Sequence, residues 1–121
     1  MADYDLETAK AMLMTKRYLY VGFMCHQVIE KALKGLIVYR DPAKSIPHIH
    51  NLTKLSKHSG LYDEMDESDK DTFDILDPLN IEARYPSAKD RLVKSLTLER
   101  CEEIMQRTEH LFSWIRQKST P

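Results

Sequence analysis

The stretch from Tyr18 to Arg40 constrains the fold more than any other part of this chain. Apolar or small residues fall at Val21, Met24, Cys25, Val28, Ile29, Ala32, Gly35, Leu36 and Tyr39. Steps of three and four residues gather them into a stripe roughly 100° wide, the pattern of a helix packed on one side. At roughly 20 residues such a helix spans about 30 Å. It ends at Asp41-Pro42, because the proline ring disfavours helical geometry at the residue before it. Glu30 stands four residues ahead of Lys34, the favourable order for a surface ion pair worth about 0.3–0.5 kcal/mol.

The remaining segments read as helices separated by short polar breaks. A first helix begins at Asp3 or Asp5, both competent N-caps, with Leu6, Ala9, Met12 and Leu13 on its buried side. It breaks near Lys16–Tyr18. Residues Pro42–Pro47 form a loop, and a short helix starts at His50 or Asn51, turns Leu52 and Leu55 inwards and stops at Gly60. Asp63 to Asp71 is acidic and solvated, with Ser68 and Asp71 spaced as a capping box. Phe73, Leu76, Leu79 and Ala83 then carry a helical stripe through Pro78, which either kinks that helix or starts a new one with Asp77 as N-cap. Pro86 closes the segment by forcing Tyr85 out of helical geometry. Thr97 caps the last helix, whose buried face is Leu98, Cys101, Ile104, Met105, Thr108, Leu111, Phe112 and Ile115. No segment alternates apolar and polar residues long enough to make a strand, and three glycines are too few for the turns of an all-β protein. The pattern predicts an all-α fold, an up-and-down four-helix bundle with an additional short helix, in a single domain over residues 1–121.

Charged residues make up 31% of the chain, yet the net charge is only −1, so no global field draws it to nucleic acid or an acidic membrane. No run of apolar residues is long enough to cross a bilayer and no signal peptide is visible, which predicts a cytoplasmic protein with Cys25 and Cys101 as reduced thiols.

Common catalytic signatures are missing: there is no glycine-rich phosphate loop, paired-cysteine zinc motif, His-Glu-x-x-His or nucleophile elbow. His48 and His50 can share a side of an extended loop, but no acidic or cysteine partners stand nearby, so neither a metal nor any other cofactor is expected. On the residues alone, Asn51 is an N-cap with His50 filling space beside it, and Arg84 is a cation closing a helix C-terminus. The functional alternative for Arg84 is a guanidinium fork offered to a phosphate. Lys31 and Lys34 fall on the wet side of the long helix, either as a solvated face or, with Arg40, Lys44, Lys54 and Lys57, as part of a basic rim. His26, one residue out of phase with Cys25, reads as a rim residue; Trp114 reads as core, and Tyr18 and Tyr20 as cover for apolar surface at a partner contact.

Three blocks in order carry a family likeness. They are Cys25-His26-Gln27-Val28-Ile29-Glu30-Lys31-Ala32-Leu33-Lys34, then His50-Asn51-Leu52 with Leu55, then Ala83-Arg84-Tyr85-Pro86. Together, from Tyr4 to about Ile115, they resemble the HEPN domain family, the higher-eukaryote and prokaryote nucleotide-binding domain. The first looks like its glutamine–x–x–glutamate–lysine–alanine–x–lysine helix. The second is similar to its threonine–histidine–aspartate/asparagine–leucine element, with Ile49 in place of the threonine, and the third matches its alanine–arginine–tyrosine–proline element. The resemblance implies a helical bundle that forms a homodimer and acts with a minimal nucleotidyltransferase, often as a toxin–antitoxin pair. It implies a nucleotide or RNA ligand held by Arg84, Tyr85, His50, Asn51, Lys34 and Lys31. Many members are metal-independent RNases with an arginine followed by four to six residues and a histidine. Here Lys89, Asp90 and Arg91 occupy those histidine positions after Arg84, His110 follows Arg107 too soon, and His48 follows Arg40 too late. Metal-free RNA cleavage needs activation of the 2′-hydroxyl, protonation of the leaving oxygen and a cation for the phosphorane. Arg84 can meet only the last, so binding without catalysis is the expectation. The alternatives are an RNase with a dispersed site of Arg84 and His50, and a purely structural dimerisation module.

Overall fold

The computed structural model describes residues 2–43, 45–82 and 94–119. Its elements are α1 (Ala2–Met14), α2 (Tyr18–Arg40), α3 (Leu52–Ser59), a 3₁₀ turn at Tyr62–Glu64, α4 (Glu67–Glu82) and α5 (Leu98–Lys118). Among the described residues there is no strand, and the fold is the expected all-α bundle with α3 as its short member.

The long helix is the hub: α1, α3, α4 and α5 all pack against α2. That explains why its buried surface is wider than the stripe predicts. Leu33 and Ile37 lie outside the stripe yet are fully buried, whereas Tyr39, inside it, is 49% exposed at the open end of the helix. Phe73 and Leu76 of α4, Leu52 and Leu55 of α3, and Ile104, Leu111 and Ile115 of α5 close the core around it. Leu98, read as part of that core, is instead 47% exposed in the first turn of α5.

Local chemistry sets most boundaries. The side chain of Asn51 accepts from Lys54 N at 2.9 Å and starts α3. Gly60, at φ +79°, stops it with its N–H on Lys57 O. Thr97 Oγ1 accepts from Arg100 N at 3.1 Å to start α5. Two cap assignments change. Asp5 lies inside α1, buried, and pairs with Lys31 of α2. The N-terminus of α4 is capped by Asp66, whose Oδ1 accepts from Asp69 N at 2.8 Å, and not by Ser68. Helix α4 runs without a restart through Pro78. Ala83, Arg84, Tyr85 and Pro86 lie outside the described residues, as does Lys44.

Cys25 and Cys101 are both free and buried. Burial pushes the Cys25 thiol up to about 12 and the Cys101 thiol up to about 11, so both are held as unreactive thiols. Two members of the expected basic rim, Arg40 and Lys57, are engaged by the chain itself. Arg40 bonds Ser59 O and Glu64, Lys118 also bonds Glu64, and Lys57 lies over the ring of Tyr62. Hydrogen bonds from Lys118 and Arg40 hold the Glu64 carboxyl below its ordinary range.

Two glycines of α2 separate helix propensity from packing. A Cβ on Gly22 would stand 2.6 Å from Leu79 Cδ1 and 3.2 Å from Leu79 Cβ, so rotating the leucine does not clear it. A Cβ on Gly35 meets nothing within 4 Å. Gly22→Ala is expected to destabilise by about 1–2 kcal/mol, overpacking outweighing the propensity gain. Gly35→Ala is expected to stabilise by about 0.5–1 kcal/mol. Urea denaturation of both variants checks the opposite signs.

Candidate functional site

Glu30 belongs to the block that reads as a solvated face, yet it is 5% exposed, enclosed because α2 is covered on several sides. A buried carboxylate needs donors, and two are supplied. Lys34 Nζ, one turn on, donates to Oε2 at 3.0 Å. His50 Nδ1, from the segment leading into α3, lies 3.1 Å from both oxygens. The Glu30–Lys34 spacing therefore makes a shielded pair and not the surface pair expected. Because an ionised carboxylate only accepts, the His50 proton sits on Nδ1, and in the neutral ring Nε2 is left with a lone pair.

A second carboxylate lies alongside. Asp77 Oδ1 accepts from Leu52 N at 3.1 Å and stands 3.1 Å from His26 Nε2. Asp77 thus does cap a helix, but it is α3 and not its own. His26 is fully buried, against the rim position expected of it, and its Nδ1 lies 3.6 Å from Glu30 Oε1 without a hydrogen-bond partner. Two imidazoles and two carboxylates from α2, α4 and the start of α3 therefore meet at one corner of the bundle. A pocket of about 70 Å³ opens there, lined by His50, Asn51, Asp77 and Asn80.

Of the residues singled out from the sequence, the fold gathers Lys34, His50 and Asn51 at this corner. Lys31 is directed to Asp5 of α1 instead. Arg84 and Tyr85 lie outside the described residues. Sequence reasoning missed Glu30, His26, Asp77 and Asn80. The available signals were Glu30, four residues ahead of Lys34 within the first family block, and Asp77, a cap-competent residue ahead of Pro78.

His48 is exposed and takes no part. Among the described residues no group of three or more His, Cys, Asp or Glu side chains is arranged to hold a metal ion, and no helix is long and apolar enough to cross a membrane. A roomier groove of about 350 Å³ runs between α4 and α5 past Asp69, Glu103, Arg107 and His110. Its arginine is taken up by the chain itself: Arg107 bonds Glu103 at 3.3 Å, Ser68 O at 3.4 Å and Thr72 Oγ1 at 3.5 Å. Burial, and then the neighbouring Asp66 charge, raise the Asp69 carboxyl above its ordinary range. This groove lacks the convergence of polar groups from three elements that marks the α3 corner.

Comparison with known families matches the model described as HEPN domain to residues 1–118. No curated protein and no solved structure matches the chain.

Removing the shared acceptor tests whether the corner is a connected unit. Glu30→Ala leaves Lys34 and His50 without their carboxylate beside the buried His26. The expected loss is about 2–3 kcal/mol, less than for a fully enclosed pair because His50 is 56% exposed and can turn to water. Urea denaturation of the variant measures it; a loss below about 0.5 kcal/mol would mean that the pairs are ordinary surface contacts.

Proposed function

The chain belongs to the HEPN domain family, which matches it over residues 1–118, and from that premise we propose that it is a nucleotide- or RNA-binding domain with its site at the α3 corner. The observation that carries the reading is the pocket lined by His50, Asn51, Asp77 and Asn80. Contacts of Glu30 with Lys34 and His50, and of Asp77 with His26, lie behind it and orient its walls. Lys34 supports Glu30, its ammonium donating one hydrogen bond to that carboxylate. Phosphate recognition then falls to Arg84, with Tyr85 beside it in sequence, whose guanidinium suits a bidentate contact.

On the same reading the domain works in the cytoplasm as a homodimer, together with a small nucleotidyltransferase in a toxin–antitoxin pair. Tyr20, Val38 and Tyr39, each more than 40% exposed on α2, offer apolar surface for such contacts. Millimolar ATP or GTP is expected to raise the melting temperature, and Arg84→Ala to weaken that binding by about tenfold. No shift with any nucleotide, together with an Arg84→Ala variant that behaves as wild type with the partner, would remove the assignment.

One observation favours a second reading, a metal-independent RNase. Glu30 fixes the ring of His50 through Nδ1 while the residue stays 56% exposed, the arrangement of a carboxylate-oriented general base. With Arg84 supplying the cation, RNA cleavage would leave a cyclic phosphate, persist in EDTA and be abolished by His50→Ala. Cleavage that survives in His50→Ala rules this site out.

A further inference from the structure

We propose that the pocket at the start of α3 receives the hydroxyls of a ribose and not a phosphate, an inference that rests on the nucleotide- or RNA-binding reading. It is a small recess of about 70 Å³, where a water-sized polar group needs only about 10–15 Å³ of such space. That admits a pair of hydroxyl groups.

The polarity of the lining points the same way. Asn80 is 4% exposed, and its buried Oδ1 has no hydrogen-bond partner among the described residues. Asp77 spends Oδ1 on Leu52 N and His26, and no described residue donates to its Oδ2. His50 places its proton towards Glu30, which leaves Nε2 an acceptor in the neutral ring. Asn51 uses its Oδ1 as the cap of α3, so its side-chain amide nitrogen remains as a donor. Among the described residues the walls therefore present three acceptors, with the amide nitrogens of Asn51 and Asn80 as donors. A phosphate brings acceptors only and would face the Asp77 carboxylate. The nearby ammonium of Lys34 is paired with Glu30.

A vicinal diol has the complementary character. Its two hydroxyl protons can go to Asn80 Oδ1 and to Asp77 or His50, while one hydroxyl oxygen accepts from Asn51. Recognition of the 2′-hydroxyl is also what separates ribonucleotides from deoxyribonucleotides at a given site. Asn80 is accordingly the specificity-determining residue, held inside the pocket by α4, and Asp77 both positions α3 and binds.

The test compares equilibrium binding of ATP, 2′-deoxy-ATP and 3′-deoxy-ATP to the intact protein. A short oligoribonucleotide ending in a free 3′ diol or in a 3′ phosphate is measured alongside. Loss of either hydroxyl is expected to weaken binding about tenfold or more, since a buried acceptor is then left unpaired. Asn80→Leu, similar in volume and unable to hydrogen-bond, is expected to bring ATP down to the deoxynucleotide level and leave 2′-deoxy-ATP unchanged. Tighter binding of the diol-ended RNA than of ATP identifies an RNA terminus as the source of the ribose; the reverse identifies a free nucleotide. Equal binding of ATP and both deoxy forms by the wild type overturns the hydroxyl assignment and leaves the nucleotide-binding reading standing. Binding of none of the probes overturns both. A ribose preference that persists in folded Asn80→Leu overturns the role of Asn80, and if that variant does not melt cooperatively the wild-type comparison alone decides.

Discussion

The carboxylate of Glu30 is the constraint around which the bundle's polar corner is arranged. It sits in the middle of a helix that packs against four others, so it is removed from water by the same packing that buries Ile29 and Leu33 beside it. An ionised carboxylate in that position is tolerated only when donors surround it. One donor, Lys34, comes from the next turn of the same helix, and the other, His50, is delivered by the segment leading into α3. The electrostatic demand of α2 therefore fixes where that segment ends.

Asp77 works on the same corner from α4. Its Oδ1 meets the Leu52 N–H at the start of α3 and the ring of His26 on α2, so one oxygen connects three elements. Helix α3 has only eight residues, too short to be stable on its own propensity. It is held by the apolar contacts of Leu52 and Leu55, by the cap of Asn51 and by these two carboxylates. A consequence is that the corner's cations and N–H groups are largely consumed in building it. Among the described residues, the Asn80 Oδ1 is buried there without a hydrogen-bond partner.

Legibility differed residue by residue. Asn51, Thr97, Pro42 and Gly60 behave as their types suggest, because capping and helix termination depend on groups within four residues along the chain. Glu30 and Lys34 do form the pair that their spacing indicates, but in a shielded setting, since spacing carries no information about what covers a helix face. His26 fell outside the α2 stripe for the same reason: a single stripe assumes one covered side, and α2 has several. Asp77 was recognised as cap-competent, though the N–H that it caps lies 25 residues away. Asn80 carried no signal at all, because an amide on a helix reads as solvated until a neighbouring element covers it.

Periodicity, capping residues and the proline stop after α2 were enough to establish an all-helical fold and most boundaries of the described helices. Those are short-range effects, written in side chains three and four positions apart. Which polar groups are enclosed, which carboxylate meets which imidazole and where a pocket opens were settled by helix-on-helix packing. Those contacts join residues 20, 25 and 51 positions apart, and they arise only once α2, α3 and α4 have closed around a common core.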